Sequence, residues 1–368
     1  MRGWLGVVLV VLAVAVAVPV SAVLWSTWMP GESGGEPLAT PDGETAALAT
    51  TLEADVRALA DGIGERNMHA DGSMAATLDW LEHRFRAMGL VPRRHTYVLR
   101  GGAYAGESAH NLIAEVPGTG GADERVVVGA HYDTVPGSPG ANDNASGVAV
   151  LLALAAWARD NPQPRTLRFI AFANEEQPFH QTSDMGSEAY ARDAAESGEA
   201  ITAMMALDGL GYYSAAPGSE HYPYDWIRWF YPDRGDFIGF VTRTRDANLV
   251  RRAVGAFRRE AGVPSEGAAL PAGVPGIGWS DHRPFWDAGY AAFLVTDTLP
   301  FRDPEYHRPG DTPERLGFYN PVARGQEAEN PLRLNLERVD HWIEQGARPF
   351  ERVNQLIKKA RKEQQVSA

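Results

Sequence analysis

Three short apolar runs, each followed by histidine or acidic side chains, constrain the fold of this chain more than any other feature. The runs cover residues 125–130, 166–173 and 201–207. Their length and apolar character are typical of buried β-strands. Residues 147–158, between the first two runs, are apolar almost all round, which predicts a helix packed inside the protein. This alternation of strands and helices predicts an α/β protein, a three-layer α/β/α sandwich around a mixed, mostly parallel sheet.

Further patterns complete the predicted order of elements. Apolar residues recur at helical spacing in two segments that open the domain, and they also mark three later helices. The predicted helices cover residues 52–63, 74–88, 185–195, 247–261 and 332–362. The additional predicted strands cover residues 94–99, 111–116, 237–242 and 291–296.

The polar residues that end the three central strands are the first candidates for a site. The strands are followed by His131 and Asp133, by Glu175 and Glu176, and by Asp208. Because ligands bind at the carboxyl ends of the strands in such sheets, we expect these side chains to lie together. Several buried anions would repel one another unless a cation neutralised them. The chain has no cysteine, so His, Asp and Glu have to hold any metal.

Three further segments carry residues of the same types. They are Asp143-Asn144-Ala145-Ser146-Gly147, the motif Ser280-Asp281-His282-Arg283-Pro284-Phe285, and Tyr306-His307 with Asp311-Thr312 after it. Together with the strand ends, these segments resemble the zinc-dependent peptidases of family M28, a group of aminopeptidases and glutaminyl-cyclase-like proteins. The resemblance covers the chain from about residue 46 to the C-terminus.

The resemblance implies a centre with two zinc ions. One ion would be held by His131 and Asp208, and the other by Glu176 and His307. Asp143 would bridge both ions. Zinc that is bound by imidazole and carboxylate groups with open positions is typical of catalytic sites.

The resemblance also implies roles for three catalytic residues. Glu175 would be the general base that takes a proton from the attacking water and passes it to the leaving amine. Asp133 would fix the tautomer of the His131 imidazole, and Tyr306 would donate a hydrogen bond to the oxyanion. Relatives further suggest a non-proline cis peptide bond between Asp143 and Asn144.

The resemblance implies a zinc-dependent exopeptidase, and an aminopeptidase that removes N-terminal residues from peptides is the leading hypothesis. Glutaminyl cyclase activity with a single zinc is the alternative. A binding ectodomain without catalytic activity, as in family members that lost their ligands, is a remote third, because all five predicted ligands and the base are present here. The net charge of −13 argues against a nucleic-acid partner. The sequence does not indicate the oligomeric state.

The N-terminal segment predicts export of the domain. Residues 3–30 carry no charged side chain and are long enough to span a bilayer as an anchor. Val20-Ser21-Ala22 also fits the small-residue pattern of a signal-peptide cleavage site. Both interpretations place the catalytic domain outside the cytoplasm, either held at the membrane or secreted. Residues 31–45 are rich in glycine, proline and acids and predict a flexible linker, and residues 46–368 then form the M28-like domain.

Three features leave alternatives open. The insert 177–184 departs from relatives that read Gly-Leu here, and His180 within it either contacts substrate or lies at the rim. His282 either has a role beside the site or is a buried structural histidine. The aromatic segment 212–237 either covers the crevice as a flap or forms a small core under a long loop.

Overall fold

An eight-stranded mixed sheet organises the part of the chain that the computed structural model describes, which is residues 2–35, 43–120 and 123–316. The strands in chain order are Arg93–Val98 (β1), Ser108–Val116 (β2), Arg125–His131 (β3), Thr166–Phe172 (β4), Ile201–Leu207 (β5), Ile238–Arg243 (β6), Ser265–Leu270 (β7) and Ala292–Thr296 (β8). Their order across the sheet is β1-β2-β4-β3-β5-β8-β6-β7. The four neighbours β4, β3, β5 and β8 are parallel, so the predicted mixed, mostly parallel sheet is confirmed.

Helices connect these strands. They are Arg2–Thr27 (α1), Gly43–Arg57 (α2), Ser73–Ala87 (α3), Gly147–Asp160 (α4), Gly186–Glu196 (α5), Ala247–Glu260 (α6), His282–Asp287 (α7) and Leu299–Arg302 (α8). None of the helices, within the residues described, has the combined length and apolar character needed to cross a membrane. The described residues all belong to one compact unit. The predicted helix 332–362 lies outside the described residues.

The two faces of the sheet carry separate apolar cores, because successive side chains of a strand point to opposite faces. Val128 in β3 belongs to the core that includes Leu151 of α4. Its neighbour Val127 belongs to the core that includes Ala191 of α5. Helices α2, α3, α4 and α6 contribute to the first core, and α5 and α7 contribute to the second. This arrangement is the predicted α/β/α sandwich.

The register of the central strands brings their carboxyl ends to one edge. His131, the last residue of β3, pairs with Phe172, the last residue of β4. Gly129 of β3 pairs with Ala206 of β5, so the residues that follow these strands leave the sheet at nearly the same level. The register of the sheet therefore brings the segments with the predicted site residues to one edge.

Two parts of the chain add to what the sequence predicts. Strand β7 was not predicted, because Ser265-Glu-Gly-Ala-Ala-Leu270 contains glycine and alanine in place of the β-branched and aromatic residues that mark strands. The linker predicted over residues 31–45 stays a prediction, and its described ends make the following contacts. Ser33 is hydrogen-bonded to Ser265, and α2 already begins at Gly43, whereas residues 36–42 lie outside the described part.

Candidate metal centre

The first group of candidate ligands forms where β3 and β5 end. The Nε2 atom of His131 lies 3.3 Å from Oδ1 of Asp143 and 3.4 Å from Oδ1 of Asp208. All three side chains are buried. Asp143 reaches this place from the connection between β3 and α4.

A second group lies on the other side of Asp143. The Nε2 atom of His307 lies 3.1 Å from Oδ2 of Asp143 and 3.1 Å from Oε2 of Glu176. In each group the ligand atoms lie within 4.8 Å of one another, and each group could hold a metal ion. The two oxygens of Asp143 therefore face different groups, which is the arrangement of a bridging carboxylate.

The electrostatics of the two groups fit a divalent cation. Burial and the nearby Asp143 carboxylate raise the pKa of Glu176 well above its usual 4.5, although His307 opposes the shift. Burial lowers the pKa of His307, but its contacts with Asp143 and Glu176 outweigh this and raise it to about 10. The buried Oδ2 atom of Asp143 has no hydrogen-bond donor in good geometry among the described residues. Imidazole and carboxylate groups are zinc ligands, so the residues present fit zinc.

Asp133 connects the two strand ends that carry ligands. Its Oδ1 atom accepts the backbone N–H of Glu175 at 3.1 Å, and Oδ2 accepts the N–H of Glu176 at 3.0 Å. The Nδ1 atom of His131 lies 3.2 Å from the Asp133 carbonyl oxygen and 3.6 Å from its Oδ1. The backbone carbonyl thus contacts the imidazole more closely than the carboxylate does, and the carboxylate holds the two glutamates.

The segment that carries Asp143 is fixed against the end of β5. The peptide bond between Asp143 and Asn144 is cis, which confirms the prediction. The Asn144 side chain donates to the carbonyl oxygen of Leu207 at 2.8 Å and accepts the N–H of Gly147 at 3.0 Å. A Cβ atom on Gly147 would lie 2.2 Å from Asn144 Oδ1. Glycine is therefore required where α4 approaches this strand.

Arg66, which no sequence pattern predicted, supports the connection that leads from β3 to Asp143. Its guanidinium is fully buried and donates to the backbone oxygens of Tyr132, Pro139 and Gly140 at 2.7–2.9 Å. These oxygens belong to the connection that runs from His131 to Asp143. No motif or periodicity in the sequence marks an arginine that binds backbone carbonyls, so this role became visible only in the fold.

A cavity of about 250 Å³, open to solvent, lies beside the two groups. Its walls include Asp208, His307, Glu175 and Tyr306, and the Tyr306 ring stacks on the His307 ring with centroids 3.7 Å apart. Much of the remaining wall is apolar or aromatic and includes Tyr222, Ile227, Tyr231, Phe237, Phe240, Leu294, Trp279 and Phe301. The aromatic segment 212–237 thus contributes part of the cavity wall.

The two histidines whose roles the sequence leaves open, His180 and His282, have different environments. His282 is fully buried, and its Nε2 lies 2.7 Å from the backbone oxygen of Ile277. Burial lowers the pKa of His282 to about 4, which agrees with the structural interpretation. His180 lines the cavity and contacts Glu175.

The fold and the paired groups define an α/β protein with a candidate metal centre at the carboxyl ends of its parallel strands. The model of peptidase family M28 matches residues 111–320. YfbL of Escherichia coli (strain K12) is 34% identical over 288 residues, which are 76% of this chain and 86% of that protein. The chain therefore belongs to peptidase family M28, as its motifs predict.

Solved structures agree on the fold. A zinc aminopeptidase from Bacillus subtilis has a TM-score of 0.58 at 17% identity, over 73% of this chain and 90% of that chain. LapB from Legionella pneumophila has a TM-score of 0.57 at 20% identity, over 80% of this chain and 75% of that chain. A glutaminyl cyclase from Fimbriiglobus ruber has a TM-score of 0.53 at 18% identity, over 83% and 97%. At these identities the likeness shows the fold alone.

A second similarity concerns the C-terminal part. The model of ribosomal protein S16 matches residues 302–349. Protein bS16 of the small ribosomal subunit of Stenotrophomonas maltophilia (strain R551-3) is 44% identical over 91 residues, 25% of this chain and 91% of that protein. This similarity was not predicted from the sequence motifs. The predicted extent of the M28-like domain, 46–368, stays a prediction.

Proposed function

We propose that the M28 domain is a zinc aminopeptidase with two metal ions in its site. The observation that carries this proposal is the position of Asp143, whose two carboxylate oxygens face separate groups of histidine and carboxylate ligands. His131 and Asp208 would hold one ion, and Glu176 and His307 the other. Zinc bound there would polarise the scissile carbonyl, acidify the attacking water and favour the ionised form of Glu175.

Glu175 is the proposed general base. It lines the cavity beside the ligand residues, and its backbone N–H is held by Asp133. Burial raises the pKa of its carboxyl well above 4.5, and Asp208 adds to the shift, although His131 opposes it. A carboxyl group with a raised pKa is suited to take a proton from water and deliver it to the leaving amine.

Tyr306 is the proposed donor to the oxyanion. It lines the same cavity. Burial raises the pKa of its hydroxyl, and Asp143 and Glu176 raise it further. The hydroxyl therefore stays protonated at neutral pH and can donate a hydrogen bond where negative charge develops on the substrate carbonyl.

The walls of the cavity support the substrate class. The carboxylates of Glu175 and Asp208 face it and could receive the ammonium group of a peptide N-terminus. The apolar and aromatic part of the same wall would bind an uncharged side chain by excluding water. An N-terminal amine beside an apolar side chain is the combination that this cavity fits.

The test combines zinc content with hydrolysis of aminoacyl anilides by the purified full-length chain. We expect two zinc ions per chain, release of aniline, and loss of activity on chelation. Glu175→Gln should lower kcat by about 10²–10⁴-fold while both zinc ions remain. The matched control is Glu196→Gln on the exposed end of α5, which should leave kcat unchanged. A chain that binds no zinc, or a Glu175→Gln variant with full activity, would overturn the proposal.

Glutaminyl cyclase activity is the second candidate, favoured by the shared fold with the Fimbriiglobus ruber enzyme. Asp143, Glu176 and His307 alone would hold the single zinc that the sequence analysis assigns to this activity. Cyclisation of peptides with N-terminal glutamine, at one zinc ion per chain and without anilide hydrolysis, would favour this candidate.

We also propose that the domain is exported behind residues 1–30, either as an anchored or as a released protein. The support is the uncharged stretch 3–30. Fractionation of cells that express the full chain tests this, since activity in the cytoplasmic fraction alone would contradict export.

A further inference from the structure

An imidazole from outside the two ligand groups touches the proposed general base. The Nδ1 atom of His180 is hydrogen-bonded to the backbone oxygen of Glu175 at 3.0 Å. The same Nδ1 atom lies 3.0 Å from the carboxylate Oε1 of Glu175. The His180 side chain is 21% exposed, whereas the Glu175 side chain is 6% exposed. His180 thus approaches the buried carboxylate from the rim of the cavity.

The carboxylate of Glu175 has little other polar support on this side. Its Oε1 atom is buried and has no hydrogen-bond donor in good geometry among the described residues. The His180 Nδ1–H bonds to the backbone oxygen instead, so the imidazole lies 3.0 Å from Oε1 as a close neighbour and not as its hydrogen-bond donor. The hydrogen bond to the backbone oxygen also favours the tautomer with its proton on Nδ1.

The position of the imidazole is set by its own insert, residues 177–184. Phe179 is buried, and its ring packs against Tyr104 with centroids 5.7 Å apart. At the end of the insert, the Asp184 carboxylate accepts the backbone N–H groups of Arg100 and Gly101 at 2.9 and 2.8 Å. The connection between β1 and β2 therefore holds the insert in place. A side chain on such a fixed loop can orient its neighbour.

We propose that His180 is a positioning residue for Glu175. Its Nδ1–H bonds to the backbone oxygen of Glu175, and this bond holds the imidazole 3.0 Å from Oε1 of the same residue. The imidazole thereby limits the carboxylate to one orientation at the cavity wall. This inference rests on the proposed function of Glu175 as the general base. It predicts that His180 acts on the rate of the chemical step, because small displacements of a catalytic group cost rate more than they cost substrate binding.

Two substitutions at this position separate the role from a general effect on the loop. His180→Phe keeps a planar ring but removes the donor, whereas His180→Asn places an amide N–H where Nδ1 lies. We expect kcat for an aminoacyl anilide to fall roughly tenfold to a hundredfold in His180→Phe, with KM and zinc content unchanged. His180→Asn should recover most of kcat.

The matched control is Gln181→Ala in the same insert. Gln181 bonds the backbone oxygen of Gly278 at 3.4 Å, so its loss disturbs the insert away from Glu175 and should leave kcat unchanged. An unchanged kcat in His180→Phe would overturn the inference, as would an equal loss in His180→Asn or a change confined to KM. A wild-type chain without hydrolytic activity would reject the proposed function itself, which distinguishes the two failures.

Discussion

Asp311 holds the backbone of Asp143: its Oδ2 atom accepts the Asp143 N–H at 3.0 Å. Its Oδ1 atom accepts the N–H of the preceding residue, Asn142, at 2.7 Å. Asp311 follows the turn that carries His307. A carboxylate from the last described loop therefore positions the bridging residue of the candidate metal centre.

We expect Asp311→Asn to weaken zinc binding, because an amide N–H would face one of the two backbone donors. Groups that orient metal ligands contribute about 10–100-fold to metal affinity. Competition with a chromogenic chelator measures the change, and Asp160→Asn at the exposed end of α4 is the control. If Asp311→Asn binds zinc as tightly as the wild type, this contact does not position the centre.

The ligand groups were predictable because their residue types follow apolar strands at intervals that the sheet brings together. His131, Glu176 and Asp208 are separated in sequence but leave neighbouring parallel strands at one edge. The supports were harder to predict. Arg66 binds backbone carbonyls, and Asp311 binds backbone N–H groups. Every residue has these backbone groups, so no sequence pattern marks the ones that Arg66 and Asp311 bind. Only the tertiary fold shows these contacts.

The aromatic segment 212–237 is fixed to the end of α8 by a buried ion pair. Arg302 donates to Glu220 at 2.7 Å, and both side chains are 0% exposed. Removing one partner of a buried pair costs about 3–5 kcal/mol, so Glu220→Gln should lower the free energy of unfolding by a comparable amount. Urea unfolding measures it. Glu220→Gln combined with Arg302→Met should recover part of the loss.

The control for this prediction is Asp225→Asn in the same segment. The Asp225 side chain is 97% exposed and lies 3.5 Å from Arg228, so its loss should change the free energy of unfolding by less than about 0.5 kcal/mol. Equal effects of the two substitutions would show that the buried pair contributes no more than a surface pair.

Because His282 is buried, we expect the folded protein to lose stability in acid. Burial lowers its pKa from 6.5 to about 4. A histidine with a lowered pKa contributes stability that is present above pH 6.5 and is lost as the pH falls toward 4, since the unfolded chain takes up the proton first. Between pH 7 and 5 this amounts to about 2 kcal/mol.

The variant His282→Gln isolates this contribution, because glutamine can still donate to Ile277 but does not titrate. Urea unfolding of the metal-free chain at pH 7 and pH 5 excludes effects of zinc release. We expect the difference between the two pH values to be smaller in His282→Gln. An identical pH dependence in both proteins would assign the acid sensitivity to other groups.

Residues 31–35, which follow α1, contact β7. We expect these contacts to contribute to the stability of the domain, which a flexible linker would not do. Ser33 Oγ donates to the Ser265 carbonyl oxygen at 2.9 Å and accepts the Ser265 N–H at 2.9 Å. Ser265 is fully buried at the start of β7, so Ser33→Ala removes the partner of its N–H, whereas Arg258 still donates to its carbonyl oxygen at 2.6 Å. We expect a loss of about 1–3 kcal/mol in the free energy of unfolding. Ser197→Ala, which removes hydrogen bonds only within the end of α5, should have a smaller effect. If both variants unfold like the wild type, residues 31–35 behave as the linker that their composition predicts, and their contact with β7 adds nothing to the stability of the domain.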